Sequence, residues 1–292
     1  MNVDPQAVPA QIGICSWSLQ VKSISELKQF LEKMGNCPVQ IACGDPHHAD
    51  WIEGESFPEL ILQSGIVLKS AMLGFPGEDY TTPQSIQKTG GFGDTATRSE
   101  RLDRLDWGLE RTKRLGLSVL TLHAGFIPRP GDPNRNSFLQ TLAIVGERAA
   151  KAQVIVAFET GQEPANLLRL TLDELSSSHL KVNFDPANML LYDQGNPIEA
   201  VEILGKDIVS VHLKDAKRPL VPGTWGEEVP LGHGEVNIPR FLEVLKKQQF
   251  LGPFFIEREV GNQLQRFQDI VNALEFAKNQ IKLLYPPIVG LL

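Results

Sequence analysis

The chain has 292 residues, 42% hydrophobic and 22% charged, a globular composition that excludes collagen, a coiled coil and a largely disordered chain. Its 35 acidic and 28 basic residues leave a formal charge of -7, without the basic footprint of a duplex-binding protein. No apolar run approaches the ~20 residues that a membrane helix needs.

The opening MNVDPQAVPAQ lacks the basic and apolar regions of a secretory signal. Cys15, Cys37 and Cys43 show no CxxC spacing and read as small buried residues of a reducing compartment. The expectation is a cytoplasmic protein with neither nucleic-acid nor membrane partners.

In chain order, a short strand pattern at 11–17 precedes the amphipathic stretch SISELKQFLEKMG, which Ser23 or Ser25 can cap. Further strand patterns follow at 38–43 and 66–73, with a weak helical pattern after Trp51 between them. Residues 74–95 read as a long irregular loop, whose Gly90, Gly91, Phe92 and Gly93 could offer N–H groups to a phosphate. A lid or plain turn is the simpler reading of that loop. A helix over 98–115, a strand at 119–123, a helix over 137–152 and a strand at 154–159 come next. Weak helical patterns after Ala165 and Pro197 flank a strand at 181–185, and a strand at 208–212 leads into a second loop, 219–234. NIPRFLEVLKKQQF takes Asn237 as its cap and Pro239 in its first turn. A strand at 254–257 and a long helix over 263–284 end the pattern.

VIVAF, IVSVHL and PFFIE are apolar on both faces, as a parallel sheet covered by helices requires. Eight strands, each followed by a helix, predict an α/β fold of the (βα)8 TIM barrel type: eight parallel strands with outer helices, in one domain over 1–292. A doubly wound sheet is the rival, but Gly13-Ile14-Cys15-Ser16 lacks its glycine-rich turn.

Several apolar runs end in a residue that is costly to bury: His123, Glu159, Asp185, His212 and Glu257. In a barrel these ends meet on one rim. Glu159, Asp185, His212 and Glu257 form an oxygen-rich set with one nitrogen, and a shared cation would reconcile three carboxylates there. The set suits one divalent metal ion, manganese first, with magnesium and cobalt close behind and zinc also accommodated.

The segments GICSWSL, AFETGQE, VNFDPAN, VSVHLKDAKR, PLGHGEVN and FFIEREVG, in barrel order, resemble those of the xylose isomerase-like barrels, the sugar phosphate isomerase/epimerase superfamily. The resemblance covers nearly the whole chain and is nearest to the ketose 3-epimerases and inosose dehydratases. It implies metal ligation by Glu159, Asp185, His212 and Glu257. It also implies proton abstraction next to a carbonyl through a metal-stabilised enediolate, with Glu159 and Glu257 on opposite faces of the carbon. The expected activity is that of a metal-dependent isomerase or epimerase of a sugar, polyol or sugar derivative.

By the same resemblance Arg218 and His123 are substrate-contact candidates, as is Asn188, where related epimerases carry a histidine; Glu163 reads as a support of the Glu159 loop, a further substrate contact or a solvated loop acid. Trp17, Trp107 and Trp225 are candidate walls for a sugar face, with a core or surface role the simpler reading of each, and Lys214 and Asp215 read as part of the rim or, more simply, as an ion pair with each other. His47 and His48, adjacent at the rim, cannot both face one metal and are left out of the site. A homodimer or homotetramer is the implied assembly. The alternatives are a dehydratase-like lyase on the same site, a non-catalytic ligand-binding barrel, and an endonuclease IV-like nuclease.

Overall fold

The computed structural model describes residues 11–45 and 50–284. The readings of the first ten residues and of His47 and His48 lie outside them. Eight parallel strands close into a barrel: β1 (Ile12–Cys15), β2 (Val39–Gly44), β3 (Leu68–Leu73), β4 (Val119–Leu122), β5 (Ile155–Glu159), β6 (Leu180–Phe184), β7 (Ile208–Leu213) and β10 (Phe254–Ile256). Two short strands between the last two, β8 (Asp215–Lys217) and β9 (Glu227–Val229), form a separate antiparallel pair. The (βα)8 architecture expected from the alternating periodicity is therefore the observed one. Among the described residues no helix is long and apolar enough to cross a membrane.

The barrel closes because β1 pairs with both β2 and β10. Gly13 permits this: a Cβ there would stand 2.2 Å from the Pro38 carbonyl oxygen. Strand interiors such as Val156, Val182 and Val211 are fully buried, as two-sided burial demands. The helices start where the caps place them. Ser23 accepts from the Glu26 amide, Asn196 from Ile198 and Asn237 from Arg240.

Three local expectations change. The first strand stops at Cys15, and Ser16–Leu19 turns into a 3-10 helix in which the Ser16 hydroxyl accepts the Ala42 amide. The segment 74–95 contains the helix Pro83–Thr89, opened by a reciprocal cap between Thr82 and Ser85. No phosphate nest remains at its glycines. The Gly91 amide donates to Glu78, Phe92 to the Ala124 carbonyl and Gly93 to the Gly90 carbonyl. The loop 219–234 carries β9 and arches back over the barrel mouth, where Trp225 Nε1 donates to the Thr81 carbonyl and the Gly226 amide to the Leu191 carbonyl.

Candidate metal centre and active site

Four strand ends deliver four ionisable side chains to one point. Glu159 is the last residue of β5, Asp185 follows β6, His212 lies near the end of β7, and Glu257 follows β10. All four are buried, at 4%, 0%, 0% and 5% exposure. One donor atom from each lies within 4.8 Å of the others. His212 Nδ1 is 3.4 Å from Glu159 Oε1, 3.7 Å from Asp185 Oδ2 and 3.4 Å from Glu257 Oε2.

The other imidazole nitrogen fixes how His212 presents itself. Its Nε2 stands 2.6 Å from Gln40 Oε1, while Gln40 Nε2 donates to Thr121 Oγ1. With the amide oxygen facing the ring, Nε2 carries the hydrogen, and Nδ1 is the atom turned to the three carboxylates. This is the backing partner that metal-ligating histidines use. Asp185 divides its two oxygens. Oδ1 caps the helix Pro186–Leu191 by accepting from Ala187 and Asn188, and Oδ2 turns to the cluster. Glu159 Oε2, Asp185 Oδ2 and His212 Nδ1 are buried without a hydrogen-bond partner in the protein. Orphaned buried groups are costly: Asp185 Oδ2 and His212 Nδ1 stand 3.7 Å apart at the cluster, Glu159 turns Oε1 to the same point, and the arrangement fits a divalent cation.

A buried ammonium stands beside this set. Lys214 Nζ donates to Glu257 Oε2 at 3.0 Å, to Glu259 Oε2 at 2.5 Å and to Asn188 Oδ1 at 3.4 Å. Burial alone would lower its pKa, but Glu257, Glu259, Glu228 and Asp185 outweigh that and hold it well above the usual lysine value. Burial would likewise raise Glu257, yet Lys214 and His212 keep its carboxyl well below the usual range. The expected pairing of Lys214 with Asp215 does not form. Asp215 faces the other way and accepts the backbone amides of Ala216, Gly232, Gly234 and Val236.

The cavity above the cluster measures about 710 Å³ and is lined by Trp17, His123, Glu159, Asn188, Lys214 and Glu257 near the metal set. Asn188 Nδ2 donates to Glu159 Oε1 at 2.8 Å, so with Lys214 it links the two glutamates through one hydrogen-bonded chain. Its close approach needs Gly161, where a Cβ would meet the Asn188 Cβ at 2.4 Å and where φ is +137°. Trp17 Nε1 donates to Glu257 Oε1 at 2.7 Å, and His123 Nε2 lies 3.9 Å from Glu159 Oε2. Tyr80, Tyr192 and Trp225 reach the cavity from above.

Other expected site residues stand elsewhere. Arg218 is not brought to the cavity: its guanidinium donates to Asp193 Oδ1 and to the Gly195 carbonyl, pinning the turn after the helix Pro186–Leu191. Trp107 stacks on Arg104 and Arg111 instead of lining the site. Glu163 is buried without an ion-pair partner among the described residues, and burial pushes its carboxyl up to about 8.

Glu163 binds a proton in the native state up to a higher pH than in the unfolded chain. Its contribution is complete below the ordinary value of 4.5 and is lost as pH rises through about 8. Melting of the wild type is expected to worsen across that window, by up to about 1.4 kcal/mol per pH unit. Glu163→Gln should flatten the decline, and parallel curves for the two proteins would contradict it.

The family model described as "Xylose isomerase-like TIM barrel" matches residues 78–280, and the chain belongs to that family. A Haemophilus influenzae relative named "Putative L-ribulose-5-phosphate 3-epimerase SgbU" is 25% identical over 247 residues, 80% of this chain and 81% of its own. The crystal structure of a xylose isomerase domain protein from Planctomyces limnophilus is 27% identical, with a TM-score of 0.80 over 96% of this chain and 98% of that one. The apo 3-keto-D-glucoside 4-epimerase YcjR from E. coli shares the fold at a TM-score of 0.67 and 17% identity, covering 91% of this chain and 99% of its own.

Proposed function

We propose that this chain is a divalent-metal-dependent sugar epimerase or isomerase, working as a single barrel domain that moves a proton on a carbon next to a carbonyl. The observation that carries the reading is the donor set: Glu159, Asp185, His212 and Glu257 converge within 4.8 Å, with three of their atoms orphaned in the interior. These four would hold the metal, and manganese, magnesium or cobalt suits three oxygens and one nitrogen. When bound, such an ion polarises a carbonyl and stabilises the negative charge that follows loss of the neighbouring proton.

The protein's own groups then divide the work. Glu159 and Glu257 come from β5 and β10, which two intervening strands separate around the barrel, so they approach the centre from well-separated directions. A carbon held between them offers one face to each, as removal and return of a proton on opposite faces requires. Asn188 fixes Glu159 by one oxygen and leaves Oε2 bare towards His123. Trp17 and Lys214 fix Glu257 by both oxygens. His123 and Asn188 also face the cavity, where they can bind substrate hydroxyls.

Incubation of the manganese-loaded protein with a panel of ketoses in D2O is expected to place deuterium on carbon next to the carbonyl. No incorporation across the panel would overturn this reading.

A further inference from the structure

Resting on the sugar epimerase or isomerase reading of this site, we infer that its substrate is an uncharged sugar carrying a second ring or similar apolar substituent, not a sugar phosphate. The cavity wall is too acidic for an anion. Beyond the four-residue centre it includes Glu78, Asp79 and Glu259, with Glu228 neutralised by Arg258 behind the wall. The single Lys or Arg on that wall, among the described residues, is Lys214, whose ammonium is already bonded to Glu257 and Glu259. A bound divalent cation would leave the wall negative, and a phosphate dianion there meets like charge.

Groups nearby that could cradle a phosphate are committed elsewhere. Arg218 bonds Asp193, Arg258 bonds Glu228 and Asp269, and the amides of Gly91, Phe92 and Gly93 bond within the protein.

Size points to the substituent. A hexose has twelve non-hydrogen atoms. Even at a water molecule's ~30 Å³ share for each, it fills no more than about 360 Å³. About half of the 710 Å³ cavity then remains. The upper part is walled by Tyr80, Leu191, Tyr192, Trp225 and Val260. Tyr192 and Trp225 meet edge to face at 4.7 Å, and the Trp225 hydrogen bond to Thr81 holds the indole over the opening. Aromatic walls of this kind favour burial of a ring with a flat apolar face.

Calorimetry on the full manganese-loaded chain tests the inference. The probes are hexoses, their 6-phosphates and their p-nitrophenyl glycosides in both anomers. At least one aryl glycoside is expected to bind tenfold or more tighter than its parent, and the 6-phosphates weaker than their parents. Trp225→Ala should shrink the aryl advantage to threefold or less, with manganese affinity unchanged.

Tighter binding of the phosphates, no aryl advantage, no effect of Trp225→Ala, or no binding by any probe would overturn it. Deuterium exchange on ketoses, measured on the same sample, separates the two ideas. Exchange without aryl preference removes only the substrate class, whereas aryl preference without exchange removes the proton-transfer reading.

Discussion

Glutamine at Glu159 or at Glu257 is expected to lower epimerisation by about 10²–10⁴-fold, the usual contribution of a positioned acid or base. The two variants should nevertheless differ in a diagnostic way. With one carboxylate removed, the other can still take and return a proton on its own face. Each variant should therefore keep deuterium exchange with one epimer and lose it with the other, and the surviving epimers should be opposite. The geometry behind this is the approach of the two glutamates from β5 and β10 towards one point. The assay uses saturating manganese, because both side chains belong to the proposed donor set. Survival of the same epimer in both variants would contradict the two-sided arrangement.

Lys214→Met is expected to be the most destabilising single change at the site. It leaves Glu257 and Glu259 without their ammonium, with Asp185 and Glu228 at 4.0 and 3.9 Å from where that charge stood. Removing one partner of a buried pair costs roughly 3–5 kcal/mol. In a chain of this size the melting temperature should fall on the order of 10 °C. Part of the loss should return in Lys214→Met combined with Glu259→Gln, which removes one of the stranded charges. Manganese should also raise the melting temperature of Lys214→Met more than that of the wild type, since a divalent cation relieves the same repulsion. Thermal unfolding of the four proteins in a double-mutant cycle reads the coupling directly, and independent, additive effects would contradict it.

Much of this site is visible in the sequence because burying charge at the end of an apolar strand needs a reason. Glu159, Asp185, His212 and Glu257 each close such a run, and the barrel gathers all such ends on one rim. Asn188 was reachable as the residue three beyond Asp185, on the helix that Asp185 itself caps.

Adjacency in sequence suggests Asp215 as the partner of Lys214, but consecutive residues of an extended chain point to opposite sides. Counting by twos from His212 puts Lys214 on the inward face, and that signal was available. Gln40 carried a similar one as a polar residue inside the apolar run VQIAC, but its bond to His212 spans 172 positions, which local periodicity cannot reveal.

Arg218 illustrates the opposite failure. The family resemblance implies a substrate contact at Arg218, yet β8 leaves the barrel to pair with β9, and the arginine goes with it to Asp193. The helix Pro83–Thr89 was hidden by its short length and by the glycines around it, whose amides the fold uses internally.

The central claim is that the buried acids and His212 share a divalent cation. Protein stripped with chelator and titrated with manganese in a calorimeter tests it most directly, with Asp185→Ala and Asp185→Asn alongside the wild type. Asp185→Asn keeps a side-chain oxygen for the cap on Ala187 and Asn188, so it separates loss of a ligand from loss of a helix start. The account predicts one tight site per chain in the wild type, abolished or greatly weakened in both variants although Asp185→Asn stays folded. Absence of binding in the wild type, or equal binding in all three, would contradict it.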